Sequence, residues 1–158
     1  APSWQNVNAQ LHKSTRGLAL KDVRIEAEQT DVEVLADPLL TKVFYNLVDN
    51  SLRHGGKTLD RIGLSFHESD ECLTCFYEDN GQGVPQKDKR LVFNRGFGQN
   101  TGLGMFLAKE ILAITGMTIQ EIGEYGKGAR FAITIPKGAY RFAETAETAP
   151  QIIRKNKN

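Results

Sequence analysis

Two asparagines on one predicted helix have the residue type and the spacing of a ligand site. In the stretch "NLVDNSLRH", Asn46 and Asn50 lie four residues apart and are followed by Arg53 and His54. Residues four apart share one face of a helix, and amide oxygens can bind a hard cation such as Mg²⁺. An arginine one turn further on can meet a phosphate. Ordinary solvent exposure is the alternative, although Asn is a poor helix former for a plain surface.

A carboxylate followed by two glycines forms the second candidate, in "YEDNGQGVP". Asp79 ends a predicted strand, and Gly81 and Gly83 follow it. A carboxylate fixed at a strand end can accept a hydrogen bond from the exocyclic amine of adenine, and glycines let the backbone approach a flat base. An ordinary tight turn is the alternative.

The third candidate is a pair of glycines, Gly102 and Gly104, at the start of a predicted helix. Backbone N–H groups at a helix N-terminus favour phosphate oxygens. A plain N-terminal turn is the alternative, because a lone G-x-G is a weak signal. The sequence contains neither a Walker P-loop nor a dinucleotide-binding G-x-G-x-x-G after a strand.

Hydrophobic periodicity predicts the elements that position these motifs. Asp37 and Pro38 favour the start of a helix that ends near Leu52, with one face formed by Leu40, Phe44, Leu47, Val48 and Ser51. The other predicted elements are an untidy helix over 4–18, a β-hairpin from "VRIEAE" and "DVEVLAD", strands "RIGLSFHE" and "ECLTCFYED", a long loop over 80–102, a helix over 103–116, and strands "MTIQEIG" and "ARFAITIP". This order predicts an α+β fold, a two-layer α/β sandwich whose mixed β-sheet has helices packed on one face.

Five motifs in this order resemble the ATP-binding domain of sensor histidine kinases. They are "NLVDNSLRH", "DNGQG", "VFNRGFG", "GLG" and "GKG", which match that family's N, G1, F, G2 and G3 boxes across roughly residues 30 to 137. The resemblance implies the Bergerat ATP-binding fold, with ATP and Mg²⁺ as cofactors.

The resemblance also implies a role for each matching residue. Asn50 matches the Mg²⁺ ligand, Asn46 a contact to the phosphates and Arg53 the basic residue that reaches the triphosphate, so these three are the expected catalytic residues. The expected nucleotide-binding set adds His54 lining the pocket, Asp79 reading adenine, Gly81 and Gly83 at the close approach, Phe97 in the lid, and Gly102, Leu103, Gly104 and Met105 closing over the phosphates.

The residue type at position 46 bears on which of two activities is expected within the Bergerat-fold superfamily that the resemblance implies. Members that hydrolyse ATP with water carry a carboxylate one turn before the metal-binding Asn, whereas this chain has an amide that cannot accept a proton near neutral pH. Phosphoryl transfer to another group is therefore expected. An anti-sigma-type serine kinase and a degenerate nucleotide-binding scaffold are the alternatives.

The phosphoacceptor segment of histidine kinases, a stretch like H-E-x-x-x-P, has no match in the chain. His12 lacks the following acid and Pro, and His67 lies in a predicted strand. We therefore expect a catalytic domain over 21–140, the end of a preceding helical segment or linker over 1–20, and a tail over 141–158. The expected partners are the dimerisation and histidine phosphotransfer domain of the same parent protein and, indirectly, a response regulator.

Composition excludes several other classes. The 158 residues, 40% hydrophobic and 25% charged, fit one domain, and 20 basic against 19 acidic residues favour neither nucleic acid nor an anionic membrane as a partner. No apolar stretch approaches the roughly 20 residues of a membrane span, so a cytoplasmic location is expected for this part of the parent protein. The C-x-x-C pair of Cys72 and Cys75 lies in a predicted strand, which favours two reduced, structural thiols over a redox or zinc site.

Overall fold

The computed structural model describes residues 1–97 and 103–143. The helices are α1 (Val7–Thr15), α2 (Leu40–His54) and α3 (Gly104–Ala113), and two short 3₁₀ turns cover Gln86–Asp88 and Leu91–Phe93. The strands are β1 (Ser3–Asn6), β2 (Arg24–Ala27), β3 (Val32–Ala36), β4 (Arg61–Glu68), β5 (Cys72–Asp79), β6 (Thr118–Glu121), β7 (Arg130–Pro136) and β8 (Tyr140–Phe142).

A five-stranded mixed sheet forms the main layer, in the order β2-β4-β5-β7-β6. Strand β2 runs parallel to β4, and the other neighbours are antiparallel. Burial alternates along β5 and β7, so that Tyr77 and Phe131 face the core while their neighbours are only half-buried. One covered face is what a two-layer arrangement requires, and the predicted α+β sandwich with helices on one face is confirmed.

Helix α2 supplies the largest apolar stripe of the helical layer and contacts both α1 and α3. Its buried apolar residues are Leu40, Val43, Phe44, Leu47 and Val48. Asp37 caps the turn before the helix, because its Oδ1 accepts the N–H of Leu39 at 2.9 Å. The helix begins at Leu40, about two residues after the predicted start, and ends at His54, about two residues after the predicted end.

The predicted hairpin between β2 and β3 is wrong. Strand β2 pairs with β4, with Ile25 opposite Ile62, whereas β3 belongs to a separate three-stranded sheet. The chain after β2 stays bound to β4, since the N–H of Glu28 donates to the carbonyl of Leu64 at 3.0 Å and the Glu28 carboxylate accepts the N–H of Phe66 at 2.7 Å. Alternation identified both strands correctly but carries no information about their partners.

The three-stranded sheet, in the order β1-β3-β8, was not predicted. The helix predicted from residue 4 begins only at Val7, because Trp4 pairs with Leu35 of β3 and the Asn6 side chain caps α1 by accepting the N–H of Ala9. Buried Leu11 then joins the common core. That residues 1–20 continue from an upstream helical segment stays a prediction.

The two cysteines are free thiols, with Cys75 buried and Cys72 half-buried on the opposite face of β5. Burial, and secondarily the charge of Glu28, raises the pKa of the Cys75 thiol above its ordinary value, which keeps it protonated and unreactive. Across residues 1–97 and 103–143, none of the helices has the length and apolar character needed to cross a membrane.

Candidate functional site

The Asp79 carboxylate lies at the end of β5, only 8% exposed, and three groups donate hydrogen bonds to it. Its Oδ1 accepts the N–H groups of Gly81 and Ala129, each at 3.0 Å. Its Oδ2 accepts the hydroxyl of Ser51 at 2.7 Å. The donors come from the following turn, from the residue just before β7 and from α2, so three separate parts of the chain fix the orientation of one carboxylate.

A tyrosine and a serine extend this network into the core. Tyr77, two residues before Asp79 on the same face of β5, is fully buried, and its hydroxyl lies 2.8 Å from the Ser51 hydroxyl. Burial raises the pKa of Tyr77 well above its usual range; the hydrogen bond with Ser51 opposes this effect, and the charge of Asp79 adds to it. The phenol is therefore a neutral hydrogen-bond donor at any physiological pH.

The two glycines after Asp79 are required by backbone packing within the protein. A Cβ on Gly81 would lie 2.6 Å from the Cα and the carbonyl oxygen of Gly55, at the end of α2. Gly83 has φ +80°, and a Cβ there would lie 2.9 Å from the carbonyl oxygen of Gly128. The turn after β5 is thus wedged between the end of α2 and the loop before β7, which holds Asp79 in place.

Asn46 lies beneath the start of α3. It is only 7% exposed, although it lies on the face of α2 opposite the predicted apolar face. Gly104 covers it so closely that a Cβ on this glycine would lie 3.5 Å from the Asn46 Oδ1. Within the described part of the chain, its Nδ2 is buried and has no hydrogen-bond partner. Gly104 therefore brings an unpaired amide donor next to the first turn of α3.

Asn50, Arg53 and His54 follow Asn46 along α2 and are progressively more exposed. Asn50 is half-buried, and both Arg53 and His54 are exposed. Arg53 Nε donates to Asp49 Oδ2 at 2.9 Å, an ion pair within one helical turn. Exposed pairs of this kind contribute little, so Arg53 is free to exchange this partner for a phosphate.

The remaining expected residues lie around the start of α3. Met105 is buried, Leu103 and Gly104 are half-buried, and Phe97 is 37% exposed at the last described position before residue 103. Gly102 lies outside the described residues. Among the described residues, no side chain caps α3, so its first N–H groups remain available to an anion.

A buried ion pair near the site was missed at the sequence level. The Glu121 carboxylate is fully buried; it accepts the N–H groups of Gly123 and Arg130 and forms an ion pair with Lys89. Lys89 Nζ also donates to the carbonyl of Val84 at 3.2 Å. The pair ties the segment after Asp79 to the edge strand β6. Ser51 and Tyr77 were likewise missed as polar partners, since Ser51 was counted only with the apolar face.

The site fits a nucleotide with Mg²⁺ on the evidence of its own donors and acceptors. Among residues 1–97 and 103–143, the Asn46 amide donor is buried without a partner and lies next to a helix start that no side chain caps, which suits an anion. In the described residues no cluster of three or more His, Cys, Asp or Glu side chains can hold a metal by itself. A cation here would need phosphate oxygens as ligands in addition to Asn50.

Comparison with known proteins gives a matching family, the histidine kinase-, DNA gyrase B-, and HSP90-like ATPases, over residues 36–139. The chain is 32% identical over 107 residues to the sensor protein SrrB of Staphylococcus aureus, which covers 62% of the chain and 18% of SrrB. The chain thus matches less than a fifth of the length of this curated relative.

Solved structures show the same fold. The mycobacterial sensor histidine kinase MprB superposes with a TM-score of 0.73 at 20% identity, over 86% of this chain and 97% of that one. Full-length ShkA, solved in complex with AMPPNP, gives a TM-score of 0.74 at 18% identity, over 92% of this chain and 32% of ShkA. SrrB is a sensor protein and MprB is a sensor histidine kinase, which favours the histidine kinase hypothesis over the serine kinase.

Proposed function

Because this chain belongs to the family of histidine kinase-, DNA gyrase B-, and HSP90-like ATPases, we propose that it is the ATP-binding catalytic domain of a sensor histidine kinase. In this proposal the domain transfers the γ-phosphoryl group of ATP to a histidine on a separate dimerisation domain of the parent protein, which then passes it to a response regulator. The observation that carries the proposal is the buried Asp79 carboxylate, fixed by three donors and left with capacity to accept one more.

Adenine is the base that this carboxylate suits. An ionised carboxylate is an acceptor only, so it pairs with the exocyclic amine of adenine and opposes a keto oxygen. Gly81 and Gly83 pack the turn after Asp79 against the backbone of Gly55 and Gly128. The surrounding protein therefore supplies a rigid acceptor for the base.

The triphosphate belongs between α2 and the start of α3. Asn50 would ligate Mg²⁺, the Nδ2 of Asn46 would donate to a phosphate oxygen, and Arg53 would exchange Asp49 for a phosphate. Bound Mg²⁺ supplies neutralisation of phosphate charge. The N–H groups at the start of α3, which no described side chain caps, would add donors for the same anion.

The proposal favours transfer to a histidine over hydrolysis, because Asn46 does not supply the general base that hydrolysis by water needs. The neighbouring carboxylate on α2 is Asp49, which is ion-paired to Arg53. An amide orients groups but does not remove a proton from water. We therefore expect the phosphoryl group to be transferred only when a docked partner domain supplies the nucleophile. We propose that this reaction takes place in the cytoplasm, whether or not the parent protein is anchored in a membrane. ShkA, a relative of the same fold, was solved with an ATP analogue.

Calorimetry with ATP and Mg²⁺ tests the nucleotide site. We expect Asp79→Asn to weaken binding by about 1–3 kcal/mol, because the new amide leaves a donor facing the adenine amine. Asp70→Asn, in the turn at the opposite end of β5, is the matched control and should bind like the unaltered chain. Equal affinity in all three proteins would remove Asp79 from the adenine site and with it the main support for this proposal.

A further inference from the structure

We propose that Ser51 and Tyr77 are positioning residues that set the purine preference of the site. They do so by leaving Asp79 with one free acceptor position, on Oδ2. This inference rests on the proposed nucleotide-binding function and deepens it, since neither residue touches the base. It starts from a chain of two hydrogen bonds, from Tyr77 to Ser51 and from Ser51 to Asp79, at 2.8 and 2.7 Å.

The direction of both bonds is determined by the number of hydrogens. Ser51 has one hydroxyl hydrogen and donates it to the Asp79 carboxylate, which cannot donate in its ionised form. The Tyr77 hydroxyl must then donate to Ser51. Both side chains are buried, with Ser51 1% and Tyr77 0% exposed, so solvent does not offer the serine a competing partner. Tyr77 thereby fixes the Ser51 hydroxyl on Asp79.

Three of the roughly four acceptor directions of the Asp79 carboxylate are occupied. An ionised carboxylate offers about four lone-pair directions, two on each oxygen. Two backbone N–H groups occupy Oδ1, and the Ser51 hydroxyl occupies one direction of Oδ2. One direction remains, and it belongs to Oδ2. A ligand at this position must bring a donor.

Such a carboxylate distinguishes a 6-amino purine from a 6-keto purine. The amine of ATP can donate to the free direction of Oδ2. Inosine triphosphate instead has its 6-keto oxygen at that place and its only nearby donor, the hydrogen on N1, one ring position away, so it would have to shift along the carboxylate in order to donate. Without Ser51, Oδ2 would have two free directions. A water molecule could then occupy one of them and donate to the keto oxygen, which would relax the discrimination. The serine hydroxyl is therefore expected to exclude that water.

The test compares the dissociation constants of ATP and inosine triphosphate, each with Mg²⁺, because the two differ only in the substituent at C6 and in the hydrogen on N1 that accompanies the keto group. We expect the unaltered chain to prefer ATP and Ser51→Ala to lower that preference about tenfold, equivalent to ~1.4 kcal/mol. Tyr77→Phe keeps the serine but frees its hydroxyl to rotate, so a smaller loss of about threefold is expected. A merely structural role would weaken both nucleotides equally and leave their ratio unchanged.

Matched controls separate folding from purine selection. Ser14→Ala removes another buried serine hydroxyl, and Tyr140→Phe removes a tyrosine hydroxyl bound to Glu68; both should keep the unaltered ratio. The double variant Ser51→Ala/Tyr77→Phe also removes the phenol that Ser51→Ala leaves unpaired, so it should regain part of the lost Tm but keep the relaxed ratio.

The outcomes distinguish this inference from the proposed function. A ratio within twofold of the unaltered value in both Ser51→Ala and Tyr77→Phe would overturn the role of these residues while leaving ATP binding intact. An equal change in the two control variants would overturn it as well. Failure of the unaltered chain to bind either nucleotide would overturn the proposed function itself.

Discussion

At the scale of single residues, the buried amide of Asn46 shows how a site departs from the rules for a core. A buried donor without a partner costs about 1–3 kcal/mol, and the Nδ2 of Asn46 is in this state within the described chain. The amide thus destabilises the folded domain by itself, whereas a bound anion would give its N–H group an acceptor. Periodicity located Asn46 on the polar face of α2 but did not reveal its burial, which depends on the approach of Gly104 from a distant part of the sequence.

We expect Asn46→Leu to stabilise the domain while weakening its affinity for ATP with Mg²⁺. Leu has a similar shape and no donor to leave unpaired, so the free energy of unfolding should rise by about 1 kcal/mol. The control is Asn80→Leu, since the Asn80 side chain accepts the N–H groups of Asp60 and Arg61 and donates to the Asp60 carboxylate. That variant should be destabilised. Urea denaturation and calorimetry measure both quantities, and a destabilised Asn46→Leu would contradict the assignment.

At the scale of elements, the Lys89–Glu121 ion pair holds the segment after Asp79 against β6. Removing one partner of a buried pair leaves an uncompensated charge and typically costs about 3–5 kcal/mol. Because two backbone N–H groups also serve Glu121, we expect Lys89→Met to destabilise the domain by about 3 kcal/mol in urea denaturation. Lys89→Met/Glu121→Gln should recover much of this loss.

The exposed pair of Lys127 and Glu124 provides the control for that prediction. Both side chains are more than 70% exposed, so Lys127→Met should change the free energy of unfolding by less than about 0.5 kcal/mol. An equal effect of Lys89→Met and Lys127→Met would show that the buried pair does not anchor this segment.

The sequence predicted the helices and strands better than it predicted which strands pair and which side chains meet. The alternation in β4, β5 and β7 and the stripe of α2 are local signals, and each was confirmed. Strand pairing depends on contacts between residues up to about a hundred positions apart, and a local pattern contains no such information. This is why the partners of β2 and β3 were not predicted, and why the strands β1 and β8 were missed. The same reason explains why Ser51 and Lys89 were missed: their partners, Asp79 and Glu121, are 28 and 32 residues away.

At the scale of the whole molecule, the proposed reaction requires a second domain. We expect the chain alone, incubated with ATP and Mg²⁺, to hydrolyse ATP slowly and to carry no acid-labile phosphate. General-base assistance is typically worth 10²–10⁴ in rate, and the amide of Asn46 does not supply it. Adding the dimerisation domain of the parent protein should produce phosphohistidine on that domain.

Single-turnover hydrolysis at saturating ATP and acid-labile labelling measure these two outcomes. Asp49→Asn tests the neighbouring carboxylate on α2, which Arg53 would release when it meets a phosphate. We expect the slow hydrolysis to stay unchanged, because Asp49 has no part in the proposed chemistry. His12→Gln should likewise leave transfer unchanged. Brisk hydrolysis by the chain alone, or label that disappears with His12→Gln, would contradict transfer to a separate domain.

The three-stranded sheet has a mechanical consequence for a domain joined to others through its chain. Strand β3 lies between β1 and β8 and is antiparallel to both, so β1 and β8 run in the same direction on either side of it. Tension applied to the chain before Ser3 and after Phe142 would therefore pull β1 and β8 in opposite directions along their axes. The hydrogen bonds of this sheet would be loaded together in shear, rather than peeled apart one after another, and the nucleotide site would be shielded from the pull.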